Sequence, residues 1–322
     1  MEMKTRLTEL LQIEKPIIQG GLAYLAYSDL CAAVSNAGGL GQITAMSLPG
    51  PEELREEIRK VREMTSRPFG VNFAIGQHGR PFEHMVQVAI EEKVPVITMT
   101  GGNPAPIFEM LKGVPCKKLV LVAAVRQAVK AQELGADAVM VVGQEGGGHL
   151  GRDDVSTQIL IRKVAQAVSI PIVASGGIAD GYGIMSALAL GADGVEMGTR
   201  FIATKECVHA SVAYKQAILD ATEQDTVVIK RSIGAPARAL KSTWTEQILS
   251  IEDATPTYEA LKDFISGDAN KKFIYDGEHE HGFGWAGQAV GLIDDVPAVA
   301  ELFSRFDKQM KEVQERWCQN GE

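Results

Sequence analysis

Up to about residue 200 the chain alternates short apolar runs, rich in β-branched residues, with amphipathic stretches of helical period. The runs that read as strands are 16–19, 40–44, 69–75, 94–99, 119–125, 138–142, 170–174 and 194–198. Several are apolar throughout, as expected of parallel strands covered on both faces. Between them lie helical patterns at 28–37, 51–65, 126–134, 157–168 and 182–190. Ser28 is placed to cap the first of these and Gly38 to end it. Eight strand–helix repeats in this length predict an α/β fold, a TIM (β/α)8 barrel. The rival, a doubly wound sheet, rarely carries eight strands in unbroken alternation. Leu134-Gly135-Ala136-Asp137-Ala138-Val139 and Leu190-Gly191-Ala192-Asp193-Gly194-Val195 echo one another, each reading as a helix end, a turn and a strand start.

From about residue 205 to 295 the rhythm changes. Helical patterns at 211–221 and 257–266 are joined by irregular loops, and strand patterns are lost. The expected organisation is a barrel over 1–204 and 296–322, with 205–295 a smaller, mostly helical subdomain or lid at its mouth. The amphipathic stretch 297–317 is expected to return as the last helix of the barrel.

Composition narrows the function. The 322 residues are 45% hydrophobic and 23% charged, with a net charge of −9. That balance suits a globular enzyme and argues against a nucleic-acid or anionic-membrane surface. The expected partners are a small-molecule substrate and, at most, a second copy of the chain as a homodimer. An acidic chain can still hold an anionic cofactor, because helix-start amides bind phosphate without Lys or Arg. Cys31, Cys116, Cys207 and Cys318 show no CxxC spacing and read as reduced thiols. Glu2, Lys4, Arg6 and Glu9 precede any apolar run, so no signal peptide is read, and the expected location is cytoplasmic.

Strand C-termini build the active site of such a barrel, and the loops after its seventh and eighth strands commonly hold a phosphate. Here those loops are Ser175-Gly176-Gly177-Ile178-Ala179-Asp180-Gly181 and Met197-Gly198-Thr199-Arg200. Gly176 and Gly177 leave their amides bare, Thr199 adds a hydroxyl, and Arg200 adds either charge or an ion pair to the subdomain. After the first strand, Gln19-Gly20-Gly21 offers side-chain-poor backbone to a flat ring, and Asn72 points a neutral amide into the same mouth. His149 follows the sixth strand on a run of three glycines, which presents its imidazole as a proton acceptor or donor. Glu145 is placed to orient it or to meet a ribityl chain. Of the other histidines, His78 could line the pocket and His84 and His209 read as ordinary. His279 and His281 fit a polar loop better than a metal site, for want of a third ligand.

With these residues in hand the sequence resembles the nitronate monooxygenase (2-nitropropane dioxygenase-like) family of FMN barrels. The matching motifs are Pro16-Ile17-Ile18-Gln19-Gly20-Gly21, Asn72, Glu145-Gly146-Gly147-Gly148-His149-Leu150-Gly151, Ala174-Ser175-Gly176-Gly177-Ile178-Ala179-Asp180-Gly181 and Met197-Gly198-Thr199-Arg200-Phe201. Ala286-Gly287-Gln288 and Gly291-Leu292-Ile293 fit as well, so the resemblance spans nearly the whole chain. It implies that His149 is catalytic and that Gln19, Gly20, Gly21, Asn72, Gly147, Gly176, Gly177, Met197, Gly198 and Thr199 line FMN, with no metal. The resemblance extends to two NAD(P)H-using relatives, the flavin-dependent enoyl-acyl-carrier-protein reductases and the NADH:quinone reductases. Asp153-Asp154, Ala203-Thr204-Lys205-Glu206-Cys207 and Gly291-Leu292-Ile293-Asp294-Asp295 with Pro297 look most like the quinone-reductase subgroup. The family loop carries Ala where this chain has Gly146, which is expected to widen the flavin face.

The implied reaction is oxidation of alkyl nitronates by O2 to a carbonyl and nitrite. The alternative is NAD(P)H-dependent reduction of a quinone or an enoyl thioester. Outside this family, a flavin-free barrel for a phosphorylated substrate predicts a colourless protein, and a flavin sensor predicts bound FMN that no substrate reduces.

Overall fold

The computed structural model describes residues 3–75 and 81–319. Eleven strands appear among them: β1 (Ile17–Gln19), β2 (Gly41–Thr44), β3 (Phe69–Ala74), β4 (Val96–Thr100), β5 (Lys117–Val122), β6 (Ala138–Val142), β7 (Gly148–His149), β8 (Ile172–Ser175), β9 (Gly194–Met197), β10 (Thr226–Ile229) and β11 (Ala237–Leu240). Eight of them form one parallel sheet in the order β1-β9-β8-β6-β5-β4-β3-β2. A parallel bridge between Ile18 and Leu40 joins its two ends, so the sheet closes as a TIM barrel. All eight sequence-predicted strands are present, with boundaries moved by a few residues.

The period-2 alternation sorts the strand residues into two layers. Ile17, Ile43, Val71, Phe73, Ile97, Met99, Val141 and Val195 belong to the large core between sheet and outer helices. Ile18, Val96, Leu119, Ala138, Met140 and Val173 fill the lower interior of the barrel. Leu7 and Leu11 of the N-terminal helix Arg6–Leu11, together with Ile13, join that interior cluster and plug the barrel floor. Toward the strand C-termini the interior turns polar, with Gln42, Thr98 and Asn72 buried and hydrogen-bonded to one another.

The first outer helix runs Ser28–Asn36. Gly38 follows it in the left-handed conformation at φ +95°, as a helix-ending glycine should. Ser28 lies one residue inside the helix instead of capping it, and its amide donates to Glu57 Oε2. The helix Val299–Gln319 packs against helices Gly181–Ala189 and Ser28–Asn36, completing the outer ring. Gly181 is where it comes closest: a Cβ there would stand 2.6 Å from Phe306 O and from Gln309 Cβ.

Residues 205–295 are not purely helical. β10 and β11 pair antiparallel, and β11 also pairs with β7, placing Ala237 opposite His149. The sequence reading expected no strands here, because both are four residues long and Ala237-Arg238-Ala239 has low strand propensity. The helical pattern at 257–266 shrinks to Tyr258–Leu261, because Ser266 caps a separate helix, Gly267–Ile274. Ile229, Ile248 and Leu261 form a small core of their own in this region. Among the described residues no helix is long and apolar enough to cross a membrane.

Candidate active site

A cavity of about 900 Å³ opens at the C-terminal ends of the barrel strands. One wall is barrel loop. Gly20 and Gly21 follow β1, Asn72 lies in the C-terminal half of β3, Ser175 ends β8 ahead of Gly176 and Gly177, and Met197 ends β9 ahead of Gly198 and Thr199; all of them line it. Gly176 (φ +97°) and Gly177 (φ +76°) take the left-handed conformation, which a side chain would oppose. A Cβ on Gly21 would stand 2.5 Å from Asn72 Oδ1, so a side chain there would displace the Asn72 amide. Thr199 Oγ1 accepts from the Gly287 amide at 3.0 Å and keeps its own proton to donate.

Of the residues expected to line FMN, only Gln19 is turned elsewhere. It is fully buried beneath the wall, where its Oε1 accepts from Gln42 N at 3.0 Å and its Nε2 donates to Gly20 O. Gln42 Nε2 returns a bond to Gln19 O at 2.7 Å, so Gln19 props the Gly20 turn from below. Arg200 likewise faces away: it is buried against Asp295, donating to its backbone oxygen at 2.6 Å and its carboxylate at 3.4 Å. That is the ion pair to residues 205–295. Glu145 does not line the cavity. Its Oε2 accepts from the amide and hydroxyl of Thr157 at 2.9 and 2.8 Å, which ties the β6–β7 loop to the start of helix Thr157–Ala165.

The opposite wall carries the chemistry. His149 sits on β7 with its imidazole exposed to the cavity, so the glycine-rich loop is partly a strand edge. Its Nε2 lies 3.2 Å from Lys230 Nζ, and its ring centroid is 5.9 Å from that of Trp285. Trp285 is held by an antiparallel bridge to Ala239 and by the Tyr214 hydroxyl, which donates to its carbonyl at 2.6 Å. Arg238 of β11 donates through Nε and Nη2 to Gln144 O at 3.1 and 2.9 Å, fastening this sheet to the loop after β6.

The two walls meet at Gly147 and Gly287. A Cβ on Gly147 would stand 2.6 Å from Gly287 N, and one on Gly287 would stand 2.6 Å from Glu145 O. Gln288 N donates to Glu145 O at 2.9 Å across the same seam. Gly147 therefore serves packing as well as the cavity face.

Among the lining residues that escaped the sequence reading are Glu196 and Lys230. Glu196 on β9 is buried, is bonded to Ser175, and has its carboxyl pushed up to about 7 by desolvation. A lone acid in the otherwise apolar run Gly194-Val195-Glu196-Met197 was the available signal. Lys230 is buried, and desolvation brings its ammonium down to about 8 against the raising influence of Glu252. Of the remaining histidines, His209 packs edge-on to Tyr27 away from this cavity, and His279 lies beside Phe273. His281 approaches Glu278. His78 lies outside the described residues.

Residues 4–78 and 74–307 match the nitronate monooxygenase family. Over 97% of its length the chain is 33% identical to 98% of a protein named probable nitronate monooxygenase from Staphylococcus haemolyticus. FabK from Thermotoga maritima superposes with a TM-score of 0.93 at 39% identity, covering 99% of each chain. A nitroalkane oxidase from Streptomyces ansochromogenes gives a TM-score of 0.82 at 26% identity, over 97% of this chain and 100% of that one.

Proposed function

Because the chain belongs to the nitronate monooxygenase family, we propose that it is an FMN-dependent oxidoreductase that oxidises alkyl nitronates with O2 to a carbonyl compound and nitrite. The observation that carries this reading is the position of His149, held on a strand edge across one cavity from a wall of bare glycine backbone. Family membership implies a flavin. The residues present fit FMN: Gly176, Gly177 and Gly198 leave backbone free of side chains, and Thr199 keeps a hydroxyl proton, which together suit a phosphate. Gly20, Gly21 and Gly147 would lie against a flat ring, and Asn72 would meet its polar edge. Thr44 Oγ1, buried at the same wall, has no hydrogen-bond partner for such a group to displace. When bound, the flavin supplies the two-electron redox chemistry that no side chain here can provide.

The side chains bind, orient and move protons. His149 removes the α-proton of a neutral nitroalkane, or positions a nitronate that arrives already charged. Phe283, Trp285 and Ile233 line the cavity around it and keep water from the reacting carbon. Residues 205–295 then serve as the substrate-side lid.

A second reading is an NAD(P)H-dependent reductase acting on quinones or an enoyl thioester. Its support is the 39% identity to FabK over the full length, FabK being an enoyl-acyl-carrier-protein reductase. There His149 positions or protonates the acceptor. The deciding measurement is anaerobic mixing of the purified protein with NADH, NADPH and propionate-3-nitronate, watching the flavin absorbance. Bleaching by the nitronate is expected. Rapid bleaching by NADH with none by the nitronate overturns the monooxygenase assignment in favour of the reductase, and a colourless protein overturns both.

A further inference from the structure

Lys230 is the only Lys or Arg among the described residues lining the cavity. It sits at φ +64°, a left-handed conformation that a residue with a side chain keeps only where its surroundings impose it. Glu252 imposes it here. Its Oε2 accepts from Lys230 N at 2.7 Å, while Oε1 accepts from Ser232 N at 2.9 Å and Ser232 Oγ at 2.7 Å. The one acid close to Lys230 is thus spent on the turn, and among the described residues no carboxylate lies within ion-pair distance of Nζ.

The clamped turn aims Nζ into the cavity. There it meets His149 Nε2 at 3.2 Å and stands 5.1 Å from the centroid of the Trp285 ring. Both neighbours are electron-rich and neither is an anion. A buried ammonium is costly to keep without an opposite charge, and this one is held rigidly against the residue that faces the substrate. The missing counter-charge is one that a ligand brings.

We propose that Lys230 and His149 together form the seat for an anionic oxygen of the substrate. The substrate class is then a small molecule whose negative charge rests on oxygen conjugated to the reacting carbon. This inference rests on the reading that His149 faces the substrate of a flavin enzyme. Two sources share the chemistry. A nitronate carries the charge before it binds, so Lys230 acts on ground-state binding. A thioester acquires it only as it becomes enolate-like, so Lys230 acts on the transition state alone.

The test uses FMN-loaded protein titrated with sodium nitrite, an unreactive planar anion, with perturbation of the flavin spectrum as readout. Losing a charge-assisted hydrogen bond should weaken nitrite binding by about ten- to a hundredfold in Lys230→Met. In the wild type the affinity should fall as pH rises through about 8, as the ammonium loses its proton. Lys230→Arg should restore binding and move that limb to higher pH. The other titratable groups around the seat are His149 on β7, Glu252 on helix Thr243–Ala254, Tyr258, Tyr214 and Glu196. All stay in place in Lys230→Arg, so movement of the limb identifies Lys230.

Steady-state kinetics separate the sources. With ethylnitronate, Lys230→Met should raise KM; with crotonyl thioester it should lower kcat at unchanged KM. Flavin-loaded Lys230→Met that binds nitrite as tightly as wild type overturns the inference while leaving the flavin-enzyme reading standing. So does a wild-type affinity flat from pH 6 to 10. A purified protein without flavin overturns the underlying reading instead.

Discussion

On the barrel side the cavity is lined by apolar side chains around a stretch of bare backbone, Gly20, Gly21, Gly176, Gly177 and Gly198, with Asn72 and Thr199 as neutral polar groups. The wall formed by β7 and residues 205–295 is nearly all side chain, with His149, Lys230, Phe283 and Trp285. A backbone wall suits a group that never changes, because amides fixed by the sheet bind it without charge and without side-chain entropy to lose. A side-chain wall suits the varied and reacting partner, since titratable groups held away from water can be tuned by what surrounds them. The two walls are fastened at several points, among them the Gly147–Gly287 seam with its Gln288–Glu145 bond, the Thr199–Gly287 bond, the Arg200–Asp295 pair and the Arg238–Gln144 bonds. Where chemistry and cofactor are carried by separate walls, each should fail separately.

The largest effect expected of that division comes from His149→Ala. Turnover should fall by about 10²–10⁴-fold, the usual worth of a positioned general acid or base. Flavin content should stay at the wild-type level, because the backbone wall is untouched. Unchanged turnover with the physiological substrate removes His149 from the chemistry, and loss of flavin removes the separation of the walls.

Glu196 is the exception on the barrel wall, the one acid among the described lining residues. In the unfolded chain it ionises near 4.5, whereas in the folded protein burial holds the proton until about pH 7. Between those values the folded state binds more protons than the unfolded state, so stability falls as pH rises through the window and levels off above it. The drop attributable to this one carboxyl is roughly 3 kcal/mol. Glu196→Gln keeps a neutral group that can still bond Ser175 and should abolish that part of the slope. Urea midpoints at pH 5 and pH 8 should therefore lie closer together in the variant. An equal gap in both proteins refutes the assignment.

The barrel was legible because its signal is periodic: eight apolar runs of regular spacing, each needing cover on both faces, admit few architectures. The backbone wall was legible for a related reason, since glycine at a strand end has a restricted set of uses. Gln19 was misplaced because sequence gives the end of a strand but not the direction of a long side chain, which here turns down to Gln42. The side-chain wall was mostly hidden. β10 and β11 are too short and too poor in β-branched residues on one strand to announce a sheet. Lys230 follows Val227-Val228-Ile229 like any lysine ending a strand in solvent, and only its meeting with a histidine 81 residues away gives it meaning. Such pairings are made by tertiary structure and leave no local periodicity to read.

The smallest expected effect lies at the junction of the two walls. Gly146, where the family loop carries Ala, was expected to widen the flavin face by lacking a Cβ. The structure shows a different neighbour: a Cβ there would stand 2.7 Å from Val142 Cγ2 and 3.2 Å from Gly143 O. The closer of these atoms ends a rotatable side chain, so Val142 can yield by turning about χ1, at a cost of about 1 kcal/mol. Gly146→Ala also removes backbone freedom from the unfolded chain, which offsets part of that cost. The variant should therefore lose at most about 1 kcal/mol of stability. Gly147→Ala is the internal contrast, because its Cβ meets the backbone of Gly287 and Ala286, which cannot rotate away. It should open the seam between the walls and lower the thermal midpoint several times more than Gly146→Ala does. Equal losses in the two variants would mean that the seam is softer than the Gly147–Gly287 approach implies, and that the walls are not fastened there.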